Sequence, residues 1–189
     1  MSRGGSANNN RTPPRLTPAI VRRLAAELQQ RRAGAGLRAF VMAAEDIPEV
    51  AEMSATAFGE EALSPAKLRF YCERAHALAI GLRREDAIVS YTLVELNRGQ
   101  RRVYVVETCT RAGEQGRGHA SWLRAKMAGI AHRLGYRTQT THVRLSNTAA
   151  QELNRRAGMV LVRAIEEYYD DGETGLYLAR ALTAADDDA

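Results

Sequence analysis

Cysteine is scarce in this chain of 189 residues. The two present, Cys72 and Cys109, lie far apart with no C-x-x-C pair, and the 4 histidines show no metal-ligand spacing. Neither a disulfide framework nor a metal site is indicated. Long apolar runs are missing as well. Nothing approaches the roughly 18 residues of a membrane span, and the opening MSRGGSANNNRTPPR has no apolar segment like a signal peptide. A cytoplasmic protein that does not enter a membrane is expected. Lysine is nearly absent too, with 2 among the 27 basic residues, which we read as genomic base composition rather than mechanism. No internal repeat is present.

At 45% hydrophobic residues the chain can bury one core of good size and is too short for two. Its net charge of +5 is uneven. Residues 1–36 hold seven Arg against Glu27, whereas the rest is close to neutral. A basic tail rich in Gly, Asn and Pro fits a solvated extension; weak contact with RNA or a ribosome is the lesser alternative. The expected layout is a flexible tail with an accessory helix (1–36), one domain (37–182) and an acidic, disordered end (183–189).

Along the chain, 17–32 has helical spacing through Ile20, Leu24 and Leu28, and 37–43 reads as a strand. Helices are expected at 46–58 and 64–74, opened by Asp46 and by Ser64 with Pro65. Three β-type runs, 77–82, 87–96 and 102–110, are separated by the turn stretches RRED and NRGQ, which predicts an antiparallel meander. The third run leads into RAGEQGRG and a helix with Ala120, Leu123, Met127, Ile130 and Leu134 on one stripe. A strand at 138–145 then makes a βαβ unit, whose two strands should be parallel. A helix at 147–157, with a possible Thr148/Gln151 capping box, and strands at 159–166 and 176–182 complete the pattern.

Gln115, Gly116, Arg117, Gly118, His119 and Ala120 form Q-x-x-G-x-A where strand passes into helix. Small residues let the backbone approach an anion, and the unpaired N–H groups and dipole of the first helical turn attract it. A pyrophosphate fits such a place, although close helix packing would account for two glycines equally well.

A second motif follows at 142–159, H-V-R-L-S-N-T-A-A-Q-E-L and then A-G-M. Together the two motifs resemble the GNAT superfamily of N-acetyltransferases. The segment Y-Y-D-D-G-E-T-G-L-Y-L-A-R at 168–180 is similar to its RimI-type, protein N-terminal (α-amino) acetyltransferase branch. The resemblance implies an α/β GNAT fold: a mixed, mostly antiparallel sheet with a central parallel strand pair splayed for acetyl-CoA, and helices on both faces. It implies an acyltransferase that moves acetyl from acetyl-CoA to an amine, most plausibly a protein or peptide N-terminus. The alternatives are a small-molecule amine, or an acyl-CoA-binding regulatory module with weakened catalysis.

Residue by residue, the resemblance assigns cofactor contacts to Thr108, Cys109 and Thr110 through their backbone, to Gln115, Gly116, Arg117, Gly118, His119 and Ala120, and to Asn147 and Asn154. His142 and Tyr104 are the implied catalytic pair. A histidine near 6.5 is a workable base for an α-amino group near 8 and a poor one for lysine near 10.4. Phe58, Tyr168 and Tyr169 are the implied acceptor-binding residues, with Glu60 and Glu61 able to attract a charged amine. Glu107 is a reserve base, expected on the strand face opposite Tyr104. One departure stands out: most relatives have a tyrosine after the leucine of the second motif, where it can protonate the departing sulfur. Here Asn154 follows Leu153.

Overall fold

The computed structural model describes residues 12–30 and 36–187. Helix α1 (Pro18–Gln30) precedes strand β1 (Leu37–Val41), helices α2 (Ile47–Phe58) and α3 (Pro65–Glu73), and strands β2 (Ala77–Arg84), β3 (Ala87–Asn97) and β4 (Arg102–Thr110). Helix α4 (His119–Arg133), strand β5 (Thr138–Arg144), helix α5 (Thr148–Arg156) and strands β6 (Val160–Ile165) and β7 (Gly175–Ala181) follow. The sheet runs β1-β2-β3-β4-β5-β7-β6, and β4-β5 is its parallel pair. This is the mixed α/β arrangement expected.

Alternation along the strands divides the core into two layers. Ile80, Leu82, Val94, Val103 and Val105 face α4 and α1, packing with Leu123 and Met127. Ala79, Tyr91, Leu93 and Cys109 face α2 and α3 with Val50, Met53 and Leu68. A smaller cluster, Val143, Met159, Leu176 and Leu178, lies where Ala150 of α5 packs on the far strands. Among the described residues no helix is long and apolar enough to cross a membrane.

Both ends differ from expectation. Residues 1–11 and 31–35 of the expected tail, and 188–189 of the expected acidic end, lie outside the described residues. The described remainder of the tail contains the expected helix and lends one stripe to the core while its other face stays exposed: Leu16, Leu24 and Leu28 are buried, and the Pro13 carbonyl accepts from Arg98 Nε at 2.7 Å. The apolar stripe read as an accessory helix buries itself against the sheet, and this outweighs the polar composition around it. At the other end the 3-10 turn Ala184–Asp186 is held by Arg180–Asp186 at 2.9 Å and His132–Asp187 at 2.8 Å, so order extends past the expected frayed point.

Helix starts were partly legible. Ser64 caps α3, accepting from the Lys67 N–H at 3.3 Å. Asp46 does not cap α2; its carboxylate accepts instead from the Ala43 N–H at 2.9 Å and from Arg83 at 2.5 Å. The Thr148/Gln151 capping box is not formed, because Asn147 caps α5 through the Ala150 N–H at 2.9 Å while Gln151 Nε2 donates to the Leu145 carbonyl at 2.7 Å.

Candidate active site

Strand β4 pairs with β5 only through Arg102↔Thr138, Val103↔Gln139 and Tyr104↔Thr140. Beyond Tyr104 the two strands separate, leaving Thr141 Oγ1 to donate to the Val105 carbonyl at 3.0 Å. A break in the β3–β4 register marks the same place, since Leu93 lies opposite Glu107 and Val94 opposite Val105, so Val106 has no counterpart. Such a bulge bends the strand and re-aims side chains. It also corrects the expectation for Glu107. The extra residue restores Glu107 to the face of Tyr104, because their partners Leu93 and Glu95 share one face of β3.

The opening is a cavity of about 270 Å³. Its walls include Tyr104, Glu107 and Thr108 of β4, His142 of β5, Phe58 at the end of α2, Asn147 and Asn154 of α5, Arg124 of α4, and Tyr168 and Tyr169. Tyr104 also borders a second cavity of about 480 Å³, lined by Arg15, His76, Glu95, Arg98 and Arg102.

Residues 38 positions apart meet here: Tyr104 Oη lies 3.2 Å from His142 Nδ1. The imidazole stacks on Tyr168, with ring centres 4.4 Å apart and planes within 13°, and the tilted Tyr177 ring has its centre 4.9 Å from that of the imidazole. Gly175 permits this arrangement, because a Cβ there would fall 2.6 Å from the Tyr168 ring. Burial, then Arg163 and Arg102, push the His142 pKa below its ordinary 6.5, so the ring is neutral at neutral pH. Burial, with Tyr168 beside it, raises Tyr104 well above the usual phenol range, which keeps its proton in place. Glu107 accepts from Tyr91 Oη and, at 3.1 Å, from Ser54 Oγ; burial raises its pKa despite these two bonds.

Other expected residues divide between ligand-accessible and structural positions. In the loop before α4, Gly116 and Gly118 have φ of 76° and 83°, and a Cβ built on either meets nothing within 4 Å. That open space in front of a helix N-terminus suits an anion. Gln115, Gly116, Arg117 and Gly118 are exposed, Ala120 is half-buried, and His119 is buried with Nε2 3.0 Å from Glu114. Thr108 and Thr110 pair their hydroxyls with Thr92 at 2.8 Å and Ser90 at 2.9 Å. The Cys109 thiol packs under α2, where burial raises it to about 11. Tyr169 packs edge-on against Tyr168 under the Arg144 guanidinium, 4.0 Å from the ring centre. Glu61 is not free to attract an amine, for it is ion-paired with Arg144, which also holds Asp171 at 2.9 Å and Glu173 at 2.5 Å. Asn154 is buried, accepting from Arg124 Nη2 at 2.8 Å and donating to the Ala150 carbonyl at 2.8 Å.

Arg124 and Arg144 were missed in the sequence. Arg124 had a signal: it lies four residues after Ala120 and three before Met127, on the apolar stripe of α4. Arg144 had none, since its three carboxylates come from distant loops.

Residues 44–159 match the Acetyltransferase (GNAT) family, and the chain belongs to that family. Its fold is shared with the ribosomal-protein-S18-alanine N-acetyltransferase from Escherichia coli, at TM-score 0.71 and 17% identity over 78% of this chain and 94% of that one. A spermidine N-acetyltransferase SpeG chimera from Vibrio cholerae and hSSAT gives 0.68 and 14%, over 78% and 96%. yncA from Salmonella typhimurium, a putative acetyltransferase solved with its cofactor acetyl-CoA, gives 0.67 and 12%, over 79% and 95%. At these identities the likeness speaks for the fold. A comparison with curated proteins gives no match.

Proposed function

We propose that this acetyltransferase acts on the α-amino group of a protein or peptide N-terminus, in the cytoplasm, with His142 as base and Tyr104 as its partner. The observation that carries the reading is the Tyr104–His142 pair at the point where β4 and β5 part. Acetyl-CoA fits this chain's groups: the open loop at Gly116 and Gly118 for its pyrophosphate, and the unpaired edge of β4 from Thr108 to Thr110 for its arm, with Asn147 opposite. When bound it supplies an acetyl thioester.

The amine must lose a proton for attack. A neutral imidazole accepts it through a water, and Tyr104, which keeps its own proton, orients the ring and that water. An imidazole whose pKa lies below 6.5 is a weak base, and it takes a proton far more readily from an α-amino group near 8 than from a lysine near 10.4. Phe58 and the Tyr168–Tyr169 pair border the place for the first acceptor residues, and the second cavity beyond Tyr104 has room for those that follow. Arg15, Arg22 and Arg23 of the N-terminal segment would add attraction to RNA on a ribosome.

Release of coenzyme A thiol is measured against a panel of peptides with free N-termini and a panel of polyamines, aminoglycosides and amino acids. Turnover confined to the peptides is the expected result. Turnover confined to the small amines overturns the acceptor assignment, and tight acetyl-CoA binding with no turnover on either panel identifies a binding module instead.

A further inference from the structure

The side of the cleft formed by α4 and α5 holds a charge that the fold does not neutralise. Arg124 is 3% exposed and lies in the second turn of α4. Its Nη2 donates to Asn154 Oδ1 at 2.8 Å and approaches Met159 Sδ at 3.3 Å, and its Nε has no hydrogen-bond partner. No carboxylate pairs with it among the described residues; the charged group it feels is another cation, Arg180. Burial pushes its pKa down to about 10, which still leaves it charged at neutral pH. Three half-buried arginines are treated differently: Arg83 meets Asp46, Arg111 meets Glu49 and Arg180 meets Asp186.

A buried cation without a counter-ion costs several kcal/mol and is retained at little benefit to stability. Arg124 lines the cleft, so an anion formed within reach of its guanidinium would recover that cost. Acetyl transfer forms one. The amine nitrogen bonds to the acetyl carbon, the carbon–sulfur bond breaks, its electron pair leaves on sulfur, and the amine proton passes to the base. Asn154 cannot donate a proton to that sulfur, and its amide is already engaged at both ends.

We propose that Arg124 is a catalytic residue whose guanidinium stabilises the negative charge on the departing sulfur, with Asn154 as the positioning residue that holds it. The charge is balanced by a fixed cation, so no proton needs to be delivered in the step itself. This rests on the acetyl-transfer reading given above and adds a role that the anion loop and the Tyr104–His142 pair leave vacant.

The test uses R124M and R124L with the full chain. Coenzyme A bound to the wild type is titrated by thiolate absorbance. The proposal expects its thiol to ionise roughly 1 to 3 pH units below a free thiol near 8.5. In R124M that shift disappears, kcat falls on the order of 10²-fold, and the melting temperature stays level or rises, since an unpaired charge has left the interior. R124K should recover part of the thiol shift. An unshifted thiol in the wild type, or R124M with wild-type kcat, overturns the role of Arg124 while leaving acetyl transfer intact. Collapse of the fold in both R124M and R124L also overturns it, by showing that the guanidinium holds α4 to α5. A wild type that binds no coenzyme A removes both readings together.

Discussion

On one side of the cleft Arg144 faces Glu61, Asp171 and Glu173, whereas on the other Arg124 faces an amide and a thioether. The first arginine joins the loop after α2 to the turn after β6, and water reaches its partners, so each of its ion pairs is individually weak. Its value is geometric, because it fixes the Tyr168–Tyr169 wall against which His142 stacks. The second is buried at the cleft wall with no carboxylate partner among the described residues, so its value for stability is small and its electrostatic reach is long. A charge with its partners built in serves as scaffold, and one without them is available for chemistry. Between them lies the Tyr104–His142 pair, in contact at 3.2 Å, which under the proposed function would handle protons without adding charge to either side.

The largest effect that would test this division is expected at His142. His142→Ala should lower kcat on the order of 10²-fold while acetyl-CoA affinity by calorimetry stays near wild type. Retention of full rate would pass the base role to Glu107, which shares the same face. The pH dependence sharpens the point. Because burial and two arginines depress the His142 pKa, its limb in kcat should lie below 6.5, so activity rises through that depressed value and is already level at neutral pH. A limb near 8 that moves with the pKa of the chosen acceptor belongs to the amine. The two are separated by running acceptors of different amine pKa.

A smaller loss is expected for Tyr104→Phe, which removes one hydroxyl of a 3.2 Å contact. A hydrogen bond of ordinary strength corresponds to roughly a three- to tenfold fall in kcat. The smallest change in kcat should come from Arg144→Ala. Without the shared cation Glu61, Asp171 and Glu173 repel one another, the tyrosine wall loosens, and acceptor KM rises several-fold. Steady-state kinetics in low and high salt would show the wild type drifting toward the variant as salt screens the cluster. A fall in kcat as large as that for His142→Ala would mean that Arg144 touches the reacting groups.

Periodicity and punctuation in the sequence determined the elements themselves. Apolar alternation, the turn stretches and the glycine loop located the seven strands and five α-helices of the described residues to within a few residues. They also located the glycine loop before α4 and the βαβ unit that makes β4 and β5 parallel, since each of these depends on neighbours within one or two turns of chain. Motif resemblance brought forward Tyr104 and His142. The tertiary structure alone decided what long-range packing controls. The bulge at Val106 turned Glu107 onto the face of Tyr104, and no local pattern announces an unopposed residue before its partner strand is known. Burial drew Leu16, Leu24 and Leu28 of an apparently solvated N-terminal segment into the core, because an amphipathic stripe is decided by whether a surface exists to receive it. The meaning of an arginine depends most of all on its surroundings: Arg124 and Arg144 are the same residue in the sequence, and only the placement of carboxylates from elsewhere in the chain makes one a brace and leaves the other charged, buried and without a carboxylate partner among the described residues.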